Sequence, residues 1–297
     1  MGKTRTLALA LLAAITPLWP AGAEVPKVMA SIQPIHSLVA AVMQGVGTPG
    51  LVVTGTQSEH TYALKPSDAR ALAAARVVVL VDENYETFLA KPLKGRDKLD
   101  VIALADLPGA HVLPTRKGGI WESDEDHHAH EAGGHDGHHH GAMDGHLWLD
   151  PANARLLVAA VADRLGELDP EHAETYQANA DTTILKLSGL DMQVQAKLYP
   201  VMDKPFVVFH DAYQYFERRY NLSAAGSITV DPDRPPSVKR MAALRDRLKS
   251  LGSACVFREP QFPLRWSIPW RNRPARARAC SIPRAPTSPP VRTTISS

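Results

Sequence analysis

At 297 residues the chain exceeds one comfortable hydrophobic core, which suggests two domains. Its formal charge of +2 conceals an asymmetry: seven of the 33 Lys and Arg lie in residues 263–297, which hold no Asp or Glu, so residues 1–262 carry 26 basic against 31 acidic side chains, a net of −5. An acidic body argues against nucleic acid and suits a cation, and two cysteines, Cys255 and Cys280, are too few for a disulfide scaffold.

The chain opens with Lys3 and Arg5, an apolar run from Leu7 to Ile15, and the small residues Ala21, Gly22 and Ala23 before Glu24. This is the pattern of a secretory signal peptide over residues 1–23. The apolar run is too short to span a bilayer, and no later stretch is long enough. A mature, soluble protein starting near Glu24 outside the cytoplasm, in the periplasm, is expected.

Beyond the leader, short β-branched runs at Val28–Ile32, Leu51–Thr54, Val77–Val81, Val101–Ala103, Phe206–Phe209 and Cys255–Phe257 read as buried strands. Amphipathic stretches at Ser67–Ala75, Ala152–Leu165 and Ser237–Leu251 lie between them. Strand alternating with helix predicts an α/β fold with parallel sheets. Asp150-Pro151 and Asp169-Pro170 each place a capping carboxylate before a proline at the first helical position. From Glu171 to Tyr199 the apolar residues Tyr176, Ala180, Ile184, Leu187, Leu190, Val194 and Leu198 recur every three or four positions. That predicts one helix about 40 Å long, a rigid connector between two α/β halves. The expected division is a lobe over 24–168, the helix over 169–199, a second lobe over 200–262 and an Arg/Pro-rich tail over 263–297. Within the first lobe, residues 114–145 are rich in Gly, His, Asp and Glu, which predicts a mobile loop.

The histidines carry the chemistry. Seven of the thirteen fall in this loop: His127, His128, His130, His135, His138, His139 and His140, interleaved with Asp126, Glu131 and Asp136. Neutral imidazoles bind zinc, and a flexible run lets several converge loosely on one ion. Three more lie in ordered context: His60 past the strand at Leu51–Thr54, His146 before a capped helix, and His210 ending the strand FVVFH. Ligands in open α/β sheets bind at the carboxyl ends of strands, where His60 and His210 fall. His60, His146 and His210 are therefore the predicted ligands, and three nitrogens with a carboxylate or water suit tetrahedral zinc better than manganese or copper(I). Glu59 could supply the carboxylate, hydrogen-bond to a ligand, or simply line the rim. His36, in QPIHSLVAAV, reads as structural; His111 and His172 read as surface residues.

The segments EHTYALKPSDARAL, HLWLDPANARLL, FHDAYQYFERRYNL and CVFREPQF, in this order from about Val25 to Phe262, resemble the periplasmic zinc-binding proteins of high-affinity zinc ABC importers. The resemblance implies two α/β lobes, each with a small parallel sheet, joined by a long helix with the metal between them. It implies that His60, His146 and His210 take the family's three histidine positions. It also implies a monomer that delivers zinc to a membrane permease and catalyses no reaction. Related alternatives are a manganese-binding relative and a metal-dependent adhesin. A secreted zinc hydrolase is the enzyme alternative, but the HExxH motif is absent. The family often has Pro-His where this chain has Glu59-His60.

After EPQF the likeness stops. The family continues with an acidic ligand in a Leu-Asp-Pro-like stretch, whereas residues 263–297 hold seven Pro, seven Arg and no Gly or His. Such a tail is expected to supply neither strand nor helix, leaving the C-terminal lobe incomplete. Read one base out of frame, the codons of Trp266 to Trp270 permit Val-Asp-Thr-Val, and those of Cys280 to Pro283 permit Leu-Asp-Pro, so the tail reads as the product of a frame slip. As written, the chain lacks that aspartate and is expected to be less stable, or dependent on zinc to close.

Overall fold

The computed structural model describes residues 24–55, 57–116, 143–229, 236–251, 254–259 and 277–281. The expected leader and the seven loop histidines lie outside the described residues. No described helix is long and apolar enough to cross a membrane.

The N-terminal half is a four-stranded parallel sheet of order β2-β1-β3-β4, formed by β1 (Val28–Ala30), β2 (Gly50–Leu51), β3 (Val77–Leu80) and β4 (Asp100–Ala103). Parallel strands need crossovers, supplied here by α1 (Gln33–Val42), α2 (Pro66–Ala74) and the short α3 (Ala90–Leu93). Every residue of β3 is buried, as a central strand covered on both faces requires. Against this sheet α1 turns Ile35, Val39 and Val42 inward, and α4 (Pro151–Leu168) buries Leu157, Val158, Val161 and Leu165. α4 begins as its sequence dictates: the Asp150 carboxylate accepts from the Ala152 amide at 2.8 Å, with Pro151 at the first helical position.

Asp169 behaves differently from the expectation. A 3-10 turn over Pro170–His172 follows it, and its side chain makes no cap hydrogen bond. The fully buried carboxylate instead accepts from the Tyr176 hydroxyl at 2.9 Å and lies 2.8 Å from His172 Nδ1. The inward tyrosine outcompetes the amides because the carboxylate is buried and must be satisfied.

The long helix is present as α5 (Ala173–Leu198), with a 3-10 turn at each end. Tyr176 and Ala180 are buried in the N-terminal core and Ile184 and Leu187 pack against it, while Leu190 is exposed. Past α5 a second parallel sheet has order β6-β5-β7-β8, from β5 (Phe206–His210), β6 (Ala224–Thr229), β7 (Ala254–Arg258) and β8 (Ala277–Ser281). Its helices are α6 (Gln214–Tyr220) and α7 (Val238–Ser250). Asn221 ends α6 in the left-handed region at φ 51°, which asparagine tolerates better than most residues. β6, AAGSIT, has no strong strand pattern and escaped the sequence reading; its register slips where Gly226 pairs with Val207, as an isolated strand glycine favours.

Two further expectations are corrected. The tail supplies a strand after all: residues 277–281 contain no proline and pair in parallel with β7 as an edge strand, which needs only backbone donors and acceptors. The segment 114–145 is not a free loop at its two ends. Pro114 and Met143 form an antiparallel bridge, and the Asp144 amide donates to Leu113 O at 2.8 Å.

Candidate metal centre

Three separate elements bring three imidazoles together. His60 lies in the turn after β2, His146 directly precedes the 3-10 turn Leu147–Leu149, and His210 is the last residue of β5. One ring nitrogen from each lies within 4.8 Å of the others, and among the described residues this is the group of His, Cys, Asp and Glu side chains whose donor atoms converge as metal ligands. Donors around a tetrahedral zinc at ordinary Zn–N lengths stand about 3.3 Å apart, a little closer than this spacing requires of the three nitrogens. His146 and His210 are buried and His60 is half-buried.

Buried carboxylates orient two of the rings. Asp144 Oδ1 lies 2.8 Å from His146 Nδ1 and also accepts the His146 amide at 3.1 Å. Glu259 Oε1 lies 2.7 Å from His210 Nδ1 and accepts from the Tyr213 hydroxyl at 3.3 Å. An ionised carboxylate only accepts, so each Nδ1 carries the proton and Nε2 keeps the lone pair that a metal needs. Neither Asp144 nor Glu259 was singled out from sequence. The Asp-Gly-His spacing at 144–146 and the glutamate of CVFREPQF were the available signals.

Burial, the largest influence on His210, favours the neutral ring. The charge and hydrogen bond of Glu259, with Glu59 and Asp211 behind, outweigh it and raise the His210 pKa above the ordinary histidine value. Tyr85 lies against the site on the N-terminal side: its ring meets those of His60, His146 and Trp148 at centroid distances of 5.5, 5.6 and 6.2 Å. Burial, then the charges of Glu59, Glu86 and Asp144, hold its phenol well above the usual pKa, so it is a neutral donor. Glu59 is outside the converging trio; its Oε1 accepts from the Tyr85 hydroxyl at 3.2 Å. Beneath this region Glu86 is fully buried, its carboxylate accepting the Val81 amide at 2.7 Å, and burial pushes its pKa up to about 7.

The other histidines stand apart. His36 Nε2 lies 3.1 Å from Pro49 O, a structural contact as expected, and the exposed His111 lies 3.1 Å from Asp150. His172 is the half-exposed partner of Asp169.

The two halves meet around the stem of the His-rich segment. Arg116 makes a forked contact to Glu217 at 2.8 and 3.0 Å and also binds Asp211, next to His210. Tyr215, from α6, accepts the Leu113 amide and donates to Asp144 O, both at 2.9 Å. Asp144 thus orients His146 while its backbone is held by α6.

A family profile described as "ZnuA: Zinc-uptake complex component A periplasmic" matches residues 28–268. The chain is 48% identical over 262 residues to the high-affinity zinc uptake system protein ZnuA of Brucella abortus (strain 2308), covering 79% of this chain and 77% of the relative. A crystal structure of ZnuA superposes with a TM-score of 0.66 at 25% identity, covering 82% of this chain and 86% of the other. The laminin-binding protein Lmb of Streptococcus agalactiae, titled a bifunctional protein with adhesin and metal transporting activity, gives 0.68 at 20% identity over 86% and 88% of the chains, a likeness of fold alone. With sequence and architecture agreeing over most of its length, the chain belongs to the ZnuA family of periplasmic zinc-uptake components.

Proposed function

We propose that this protein is the periplasmic zinc-binding component of a high-affinity zinc ABC importer, capturing Zn²⁺ between its two halves and passing it to a membrane permease. The observation that carries this reading is the convergence of His60, His146 and His210 from three elements, with two rings oriented by buried carboxylates. His60, His146 and His210 supply three neutral nitrogens, and the fourth position falls to an oxygen, from Glu59 or from water. A nitrogen-rich set favours zinc over manganese, which prefers more oxygen donors. The protein acts as a monomer after removal of residues 1–23, and the seven loop histidines collect zinc loosely beside the tight site. The frame slip past codon 262 stays part of the proposal, and the nucleotide sequence decides it.

The test is a zinc titration against a competing chelator. Wild-type protein should show one tight site, and replacing any of the three histidines with Ala should weaken it by at least a hundredfold. Retention of wild-type affinity by all three variants rules the site out. Deleting residues 122–141 should remove only weaker sites. Affinity should fall as pH drops, because protons compete for the imidazoles. With the His210 pKa raised, the fall should begin at a higher pH than for an ordinary histidine.

A further inference from the structure

We propose that Tyr85 is a positioning residue for the captured zinc, tethering the Glu59 carboxylate beside the three histidines; this rests on the three-histidine site proposed above.

Two distances define the arrangement. The Tyr85 oxygen lies 3.2 Å from Glu59 Oε1 and 3.4 Å from His146 Nε2. His146 Nδ1 is engaged by Asp144, so Nε2 is an acceptor, and Glu59 is an acceptor as well. The phenol has one proton for two acceptors. When a metal takes the Nε2 lone pair, that acceptor is withdrawn and the whole hydrogen bond goes to Glu59. The hydroxyl is thus shared before capture and committed to Glu59 after it, which fixes the carboxylate at the edge of the site when an oxygen is needed as the fourth ligand.

The ring is built into this place. It packs edge-on to His60 and His146, and Gly145, directly before the ligand, makes room for it. A Cβ at position 145 would come within 2.0–2.3 Å of three Tyr85 ring carbons, closer than real atoms approach. The backbone turn that presents Tyr85 is also held: Asp82 Oδ1 accepts the Asn84 and Tyr85 amides, and Glu86 accepts those of Val81 and Asp82. A tyrosine that only filled space would not require its hydroxyl to face a carboxylate and a ligand nitrogen together.

The experiment is a double-mutant cycle on zinc affinity, using Tyr85→Phe, Glu59→Gln and the pair, with Co²⁺ absorption as a second readout. Tyr85→Phe keeps the ring and so the packing; it should weaken zinc about tenfold or more, within the range of lost outer partners of metal ligands. In the Glu59→Gln background the same change should cost far less, and each single variant should alter the Co²⁺ ligand-field bands. Unchanged affinity and bands in Tyr85→Phe would overturn the proposal, as would equal losses in both backgrounds, which mark a purely structural role. Should Tyr85→Phe fail to fold, Gly145→Ala, which displaces the ring, is put through the same cycle with Glu59→Gln and judged by the same outcomes. Failure of the underlying site looks different: wild-type zinc affinity would then survive loss of the histidines themselves.

Discussion

The two halves share a topology, four parallel strands flanked by helices, yet they are held together by different means. The N-terminal core is continuous, running from β1 and β3 through α1, α4 and the first turns of α5. Among the described residues the C-terminal core consists of Val207, Phe209, Ala225, Ile228, Leu244 and Val256, with Met241, Leu248 and Leu251 packed against it. Around that small core, α6 sends Tyr215 into the N-terminal core and holds α5 through Arg219 and Tyr220 on the buried Asp191. α6 thus ties the C-terminal half to its neighbour through polar contacts. Of the three converging imidazoles, one, His210, comes from the C-terminal half.

The most severe way to break this arrangement is to remove Arg116. Arg116→Met would leave Asp211 and Glu217 poorly exposed and without their cation, and loss of one partner of such a buried pair costs about 3–5 kcal/mol. Urea unfolding should show that loss, and hydrogen exchange should place it in β5 and α6 rather than in β3. Equal deprotection of both sheets would show that the halves unfold as one unit.

A matched pair of truncations sharpens the contrast. Leu80 and Leu244 are both buried, one in each core. Leu80→Ala should cost about 2–5 kcal/mol, and Leu244→Ala should fall at the low end, because among the described residues fewer apolar side chains pack around it. Equal costs by urea denaturation would mean that the C-terminal core is as rigid as its neighbour.

Much of this could be read beforehand, and the exceptions have a common cause. The β-branched runs marked β1, β3 and β5, where burial on both faces leaves a continuous apolar signature, and also β4 and β7, which are only partly buried. β6 and β8 left none: AAGSIT and ARACS contain few such residues, and their pairing is decided by neighbouring backbones. The convergence of His60, His146 and His210 was foreshadowed by their positions near strand ends and before a capped helix. Their partners were not. Asp144 and Glu259 lie two and 49 positions from the rings they orient, and Tyr85 is 61 positions from His146. The Glu259 and Tyr85 contacts are set by tertiary packing and have no local period, whereas Asp144 is a local partner signalled only by the Asp-Gly-His spacing.

The stronger half nevertheless carries a cost of its own. Glu86 is buried under the site with a folded pKa of about 7 against 4.5 for the free side chain. A raised folded pKa means the folded state binds the proton more tightly. Its stabilising contribution is therefore full below pH 4.5 and lost as pH rises through 7. Relative to wild type, metal-free Glu86→Gln should gain on the order of 2–3 kcal/mol between pH 4.5 and pH 8. Urea midpoints at the two pH values check this, and parallel pH profiles for both proteins would assign the buried carboxylate no such role.

The smallest effect distinguishes the halves at the metal itself. Asp144 and Glu259 make the same contact, each engaging an Nδ1 so that Nε2 is left for the proposed zinc, and losing either should weaken zinc about 10–100-fold. They differ in what else holds the ring. His146 is braced by Tyr85 and Trp148, on the consolidated side. His210 ends a strand of the C-terminal sheet, and its ring leans on Glu259 and Tyr213. Glu259→Gln should therefore cost more than Asp144→Asn by chelator competition. Because an amide no longer supports the imidazolium, it should also lower the pH at which zinc affinity starts to fall from its own plateau. The reverse order of affinities would mean that ring orientation at the site does not follow from the size of the core behind it.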